Sequence, residues 1–213
     1  MTTIKGNFPM MNLKKQLSVV FVLLITSLSS AHADDAAETF VAEILLQATP
    51  VLNAESETEK FEGIAQLVDE YVDVRKAALF TIGQYARLIS PEQKETFISL
   101  FRDYAKLIYQ DALSNYSGQT LAVTGSVDRS ERDIIVNSGI VNAAAGDPFA
   151  NINVHWRVYR SRAGELSIVD AGADNIWLAI EQRSQFTSII ANNGGGSTGI
   201  DALIAQLRSQ LGQ

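Results

Sequence analysis

An α+β fold is predicted, with N-terminal helices, a four-stranded antiparallel sheet and C-terminal helices around an apolar cavity. Three observations predict it. Between residues 35 and 116, apolar side chains recur at helical spacing. Between residues 121 and 170 they alternate along short β-branched runs separated by turns. From Leu178 the helical spacing returns. Helices and strands segregated in this way, without regular βα alternation, define the α+β class.

The first helix is read from Phe40, Val41, Ile44, Leu45 and Ala48, with Pro50 expected to end it. A second carries Phe61, Ile64, Leu67, Val68 and Tyr71. A third, short helix spans Val74 to Ile82 and stops at Gly83. Ser90-Pro91-Glu92-Gln93 announces a long helix. Ser90 suits the N-cap, Pro91 the first helical position, and Gln93 completes a capping box. Gly118 is expected to end it.

Strands are expected at Leu121–Val127, Ile134–Val141, Ile152–Tyr159 and Leu166–Asp170, joined through the turn-like segments VDRSERD, AAAGDP and RSRAGE. In INVHWRV, Ile152, Val154, Trp156 and Val158 point one way, while Asn153, His155 and Arg157 point the other. That alternation marks a half-buried strand. A helix through Ile180, Phe186, Ile189 and Ile190 follows. NNGGGSTG, from Asn192 to Gly199, is read as a flexible link, and Ile200 to Leu211 as a closing amphipathic helix.

The first 33 residues have the order of a secretory signal peptide. Lys5, Lys14 and Lys15 form a basic region, LSVVFVLLITSL an apolar one, and AHA a small-residue cleavage site. About 12 apolar residues are too few for a membrane span, which takes ~20. Cleavage after Ala33 leaves one domain, 34–213. The formal charge of −7 becomes −10 once the three leader lysines are gone. That balance disfavours nucleic acid as a partner, and static adhesion to anionic headgroups. There is no cysteine, so neither disulfides nor a lipidated cysteine contribute.

The long helix has more apolar surface than one neighbour requires. With Phe97 at zero and 100° per residue, Phe101, Tyr104 and Ile108 cluster on one line. Leu100 and Leu107 widen one flank; Ile98, Ala105, Tyr109, Ala112 and Tyr116 widen the other. The apolar arc is about 200°, against ~100° for an ordinary surface helix. A helix packed on both sides has such an arc, and so does a helix lining a cavity for an apolar ligand. Periodicity does not separate the two, because both need the same residues.

Reactive constellations do not emerge. His155 is the one histidine left after cleavage, and it falls on the polar side of its strand. No Cys/His/carboxylate cluster has metal-ligand spacing. GGGSTG lacks the lysine and the strand–helix setting of a phosphate loop. Asp69, Glu70 and Asp73 read as solvated or paired with Arg75 and Lys76. Neither catalysis nor a cofactor is expected.

Order and spacing of weaker motifs supply a resemblance. Asp73, Gly83, Tyr85, Ser90, Gln93, Phe97, Phe101, Leu107, Tyr109, Leu113, Tyr116, Gly118 and Gln119 follow the pattern of the MlaC (toluene-tolerance) family of periplasmic lipid carriers. A second block, LSIVDAGADNIWLAIEQRSQF, is similar to the family at Asp170, Leu178, Arg183, Gln185 and Phe186. Val72 stands where the family usually has Phe, and DNIW replaces its EGVS element. QRSQF, IIANNGG and LIAQLR look closer to the hopanoid-associated HpnM branch than to the phospholipid branch.

The resemblance implies a carrier of phospholipid or hopanoid that touches membranes only transiently. It also implies two protein partners, an outer-membrane lipoprotein complex and the substrate-binding ring of an inner-membrane ABC transporter. The bound lipid is cargo rather than cofactor. Two tails of about 15 methylenes gain roughly 24 kcal/mol on leaving water, at ~0.8 kcal/mol each, so they must stay covered in transit. On this reading the lining comes from Phe97, Leu100, Phe101, Tyr104 and Ile108 of the long helix, and from Leu79, Ile82 and Tyr85 before it. Val154, Trp156 and Val158 add to it from the sheet, and Ile176, Leu178 and Phe186 from the second block. Arg183 is a candidate for surface docking or headgroup contact, with a structural ion pair as the equal alternative. An enzyme using His155 or a cavity acid on a related cone-shaped fold, or an adaptor whose apolar face binds protein, are the rival readings.

Overall fold

The computed structural model describes residues 34–113, 120–143, 150–174 and 176–213. The expected leader, the expected helix end at Gly118 and most of the AAAGDP turn lie outside them. The elements run α1 (Asp35–Leu52), α2 (Glu57–Tyr71), α3 (Val74–Thr81), a 3-10 turn (Gly83–Arg87), α4 (Pro91–Leu113), β1 (Leu121–Ser130), β2 (Asp133–Ile140), β3 (Asn153–Arg160), β4 (Leu166–Ala173), β5 (Ile176–Trp177), α5 (Leu178–Asn192) and α6 (Gly196–Gln210).

The helix starts follow local chemistry. Asp34, Ser56 and Asp73 each accept a first-turn N–H as N-caps of α1, α2 and α3. The capping box of α4 is formed in both directions. Gln93 N–H donates to Ser90 Oγ at 3.1 Å, and Ser90 N–H donates to Gln93 Oε1 at 3.2 Å. Gln93 Nε2 also donates to Asp201 Oδ1 at 2.7 Å, tying α4 to α6. Pro50 does not stop α1, which continues to Leu52. In the last turn proline removes only one N–H donor, beside the solvent-exposed Leu46.

The sheet is an antiparallel meander, β1-β2-β3-β4-β5, one strand more than expected. The extra strand, β5, is two residues long and pairs Trp177 with Gly172 across a turn where Asp174 has φ 47°. Alternation cannot register so short a strand. α6 also starts earlier than expected, so the glycine link is shorter. Gly199 lies inside this helix, where a Cβ would sit 2.3 Å from the Ile190 carbonyl oxygen; only glycine permits this approach of α5 and α6.

Two cores flank the sheet. On one face Ile134, Val136, Val158 and Ile168 are buried against Ala37, Val41 and Ile44 of α1. Each fully buried aliphatic side chain there contributes about 1.5–3 kcal/mol. Asp34 fastens the start of α1 through Arg160 at 2.5 Å, and its N–H donates to Ser126 Oγ at 2.8 Å. The larger core is helical, formed by α2 to α6 around Phe97, Ile82, Phe186 and Leu203. It meets the other sheet face through α3, where Lys76 lies over the Tyr159 ring and Phe80 beside Arg157.

Strand β4 carries a bulge. Val158 pairs with Ile168 but Arg157 pairs with Asp170, so Val169 is an inserted residue. Directly paired residues share a face, and the insertion therefore moves Asp170 away from the α1 side, where Ile168 remains. Beside the bulge the α2–α3 junction adds a short parallel bridge from Val72 to Ile168, and Asp73 N–H donates to the Ile168 carbonyl at 2.9 Å.

Candidate functional site

The bulge, α3, α4 and the start of α5 enclose an apolar cavity of about 40 Å³. Phe101, Tyr104, Ala105, Ile108 and Tyr109 come from α4; Val74 and Ala77 from α3, with Val72 before it. Val169 and Asp170 come from β4, and Leu178, Ala179 and Gln182 from α5. Three of these helices present an alanine to the space, Ala77 from α3, Ala105 from α4 and Ala179 from α5.

Four of the expected lining residues meet here: Phe101, Tyr104, Ile108 and Leu178. Phe97, Leu100, Ile82 and Phe186 are instead packed in the helical core, with Leu79 and Tyr85 partly buried against it. Phe186 packs edge-on against Phe97 and Phe101 and tilted against Tyr104, at ring separations of 6.2, 6.4 and 5.7 Å. Ile176 is 60% exposed. Val154, Trp156 and Val158 occupy the sheet face opposite to Arg157 and Asp170, where α1 covers Val158 and Trp156 packs at the edge.

The expected hollow between the sheet's apolar face and the long helix is therefore corrected. α1 takes that face, and the cavity lies under the other one. Its volume is also small. One water molecule needs about 10–15 Å³ of such space and ligand pockets typically span ~300–1,000 Å³, so an acyl tail requires the walls to part. Most of the 200° arc of α4 is explained by packing against α2, α3, α5 and α6.

Residues that sequence reasoning did not place in the lining are Val72, Val74, Ala77, Ala105, Tyr109, Val169, Asp170, Ala179 and Gln182. Tyr109 and Asp170 already stood among the family-pattern positions; the alanines carry no pattern that distinguishes a cavity from a close helix contact.

Polar groups at the cavity are few. Tyr104 Oη donates to Gln182 Oε1 at 2.8 Å, joining α4 to α5 across the cavity. Burial pushes the Tyr104 hydroxyl above its ordinary pKa. Burial, with the Asp170 charge adding to it, pushes Tyr109 up to about 12. Asp170 itself is raised by burial, opposed by the N–H groups of Ala179 and Ala171 and by the Arg157 charge. Arg157 makes a bidentate bond to Asp133, at 2.8 and 2.9 Å, which holds Asp133 below its usual value.

His155 is half-buried, with Nδ1 2.7 Å from Asn137 Oδ1 and its ring 5.9 Å from Trp177. It does not line the cavity. Arg183 lies over the Phe80 ring at 4.8 Å and donates to the Phe80 carbonyl at 3.2 Å, so its guanidinium caps the end of α3. Asp69 pairs with Lys106 at 2.7 Å, and Asp73 with Lys76 at 2.9 Å. Among the described residues no group of three or more His, Asp or Glu is placed to hold a metal ion, and no helix is long and apolar enough to cross a membrane.

Fold and site together define an α+β protein whose helical layer closes an apolar cavity over one face of an antiparallel meander. Comparison with known proteins refines this. Residues 41–209 match the model of the MlaC protein family, and the chain belongs to that family. It is 24% identical over 144 residues to the intermembrane phospholipid transport system binding protein MlaC of Haemophilus influenzae, a match covering 67% of this chain and 64% of the relative. Its fold is similar to that of a phospholipid-binding protein from Ralstonia solanacearum, whose structure is in complex with a phospholipid. The TM-score is 0.63 and the identity 24%, over 83% of this chain and 97% of that one.

Proposed function

We propose that this chain is a periplasmic lipid-binding shuttle without catalytic activity. It carries phospholipid, with hopanoid as the alternative cargo, between the outer and inner membranes with the tails buried. The observation that carries the reading is the apolar cavity beneath α4 in a chain of this family. The relative's role in phospholipid transport and the lipid-bound neighbour support the choice of cargo.

Loading proceeds by separation of α4 from α5 above the β4 bulge. The contacts that must yield are one hydrogen bond, Tyr104 to Gln182, and the aromatic packing of Phe101 and Tyr104 on Phe186. Hydrocarbon entering the gap replaces one apolar contact by another, so the ~0.8 kcal/mol gained per buried methylene remains available to offset the opening. The headgroup stays in water. An outer-membrane lipoprotein complex and the substrate-binding ring of an inner-membrane transporter are the expected donor and acceptor.

Native mass spectrometry of the exported protein, purified without delipidation, tests this. A mass increment matching phospholipid or hopanoid is expected. A protein that emerges lipid-free and takes up no lipid from vesicles refutes it, and favours an adaptor that binds protein.

A further inference from the structure

Asp170 is only 4% exposed. Its Oδ1 accepts from the N–H groups of Ala171 and Ala179, each at 2.9 Å. Ala179 lies in the first turn of α5, where free N–H groups and the helix dipole favour an anion. Oδ2 has no partner, and it is the one buried side-chain N or O atom among the described residues in that position. An unpaired buried acceptor is costly and calls for an explanation.

No described side chain donates to Oδ2, although the Tyr109 hydroxyl lines the same cavity and feels the Asp170 charge. Arg157 shares the sheet face, but its Nε and Nη2 donate to Asp133. The Tyr104 hydroxyl donates to Gln182. The β4 bulge aims Asp170 at the cavity instead of at α1, and bulges recur where a side chain is re-aimed for function. Asp170 thus lies in the wall of a mainly apolar space of about 40 Å³, with Oδ2 covered there by its neighbours but bonded to no donor. The neutral donors that fit such a space are a water molecule and a hydroxyl group.

We propose that Asp170 Oδ2 is the seat for a hydroxyl group of an otherwise apolar ligand, so that the site prefers amphiphiles bearing a free hydroxyl next to their hydrocarbon chain. This rests on the lipid-carrier reading. A saturated chain alone leaves Oδ2 stranded, and an ether or ester oxygen, which only accepts, meets it with a second acceptor. A hydroxyl donates without burying a charge. Asp170 then fixes how deep the polar–apolar junction of the ligand sits, with the chain running on between α3 and α4.

A matched pair of probes decides the matter: 1-O-octadecyl lysophosphatidylcholine, with a free glycerol hydroxyl, and its 2-O-methyl ether. Calorimetric titration of the delipidated wild-type protein at pH 8 is expected to give roughly tenfold tighter binding of the free hydroxyl, the usual worth of a hydrogen bond to a charged group. D170N keeps the Oδ1 acceptor for Ala171 and Ala179, and presents an N–H donor that serves either probe. It is expected to bind both within about twofold. Equal binding of the two probes by the wild type, or an unchanged tenfold preference in D170N, overturns the proposal. The wild-type comparison suffices should D170N fail to fold. Dioleoyl phosphatidylglycerol is the control: if it binds while the probes are not distinguished, the hydroxyl seat alone fails. If no lipid binds, the carrier reading fails with it.

Discussion

Replacing Tyr104 by phenylalanine deletes one hydroxyl and keeps the ring. The ring is 7% exposed and packs on Phe101 and Phe186 at 6.4 and 5.7 Å, so the apolar contacts survive the change. What is lost is the 2.8 Å hydrogen bond to Gln182, the only polar tie the structure shows between α4 and α5 over the cavity among the described residues. A neutral hydrogen bond of this kind contributes about 1 kcal/mol net, and half-buried Gln182 can turn to water instead. Thermal unfolding should therefore shift down by about 2–4 °C for a domain of this size. Parting α4 from α5 breaks the same bond, so the open population should rise about fivefold, since 1.4 kcal/mol is a factor of ten. Stopped-flow uptake of a fluorescent acyl lipid from vesicles should accelerate by the same factor. A variant that melts earlier yet takes up lipid at the wild-type rate would refute the assignment of this helix seam as the loading route.

Two further perturbations test the frame that holds the site. Gly199→Ala drives a Cβ to 2.3 Å from the Ile190 carbonyl oxygen and forces α5 away from α6; a loss of about 1–3 kcal/mol is expected in urea unfolding, and an unchanged midpoint would contradict the close approach. Asp133→Asn removes the bidentate partner of Arg157, for about 1–3 kcal/mol at pH 7. The Arg157 guanidinium lowers the folded-state pKa of Asp133 below its ordinary 3.8, so the wild-type advantage is full above that value and disappears as pH falls through the depressed one. A gap between wild type and variant that persists or widens in strong acid would show that the pair is not its source.

Local signals in this chain were strong where the chemistry is local. The S-P-E-Q box started α4 because both of its hydrogen bonds close within four residues. The alternation in INVHWRV separated the two faces of β3 correctly, since Val158 and Trp156 lie on one side and Arg157 and His155 on the other. Pro50 misled for the same local reason: its cost depends on position within the helix, and in the last turn that cost is small. Of the four expected lining residues that reach the cavity, Phe101, Tyr104 and Ile108 lie on one line of the α4 periodicity, Phe101 also being a family-pattern position, while Leu178 comes from the family pattern.

Alternation says that a strand has an apolar face, but not which helix will cover it. Here α1 won that face because Val41 and Ile44 come with a matched stripe and a fastened start at Asp34, leaving α4 to the helical core. The bulge at Val169 has no signature in residue type, yet it decides that Asp170 faces the cavity. Whether three alanines leave a gap or a tight contact depends on distances set by side chains far apart in the chain. Periodicity and caps are properties of neighbours along the backbone, so they are written in the order of residues. Face selection, register and empty volume arise from the balance among whole elements, and become definite only when all of them are packed.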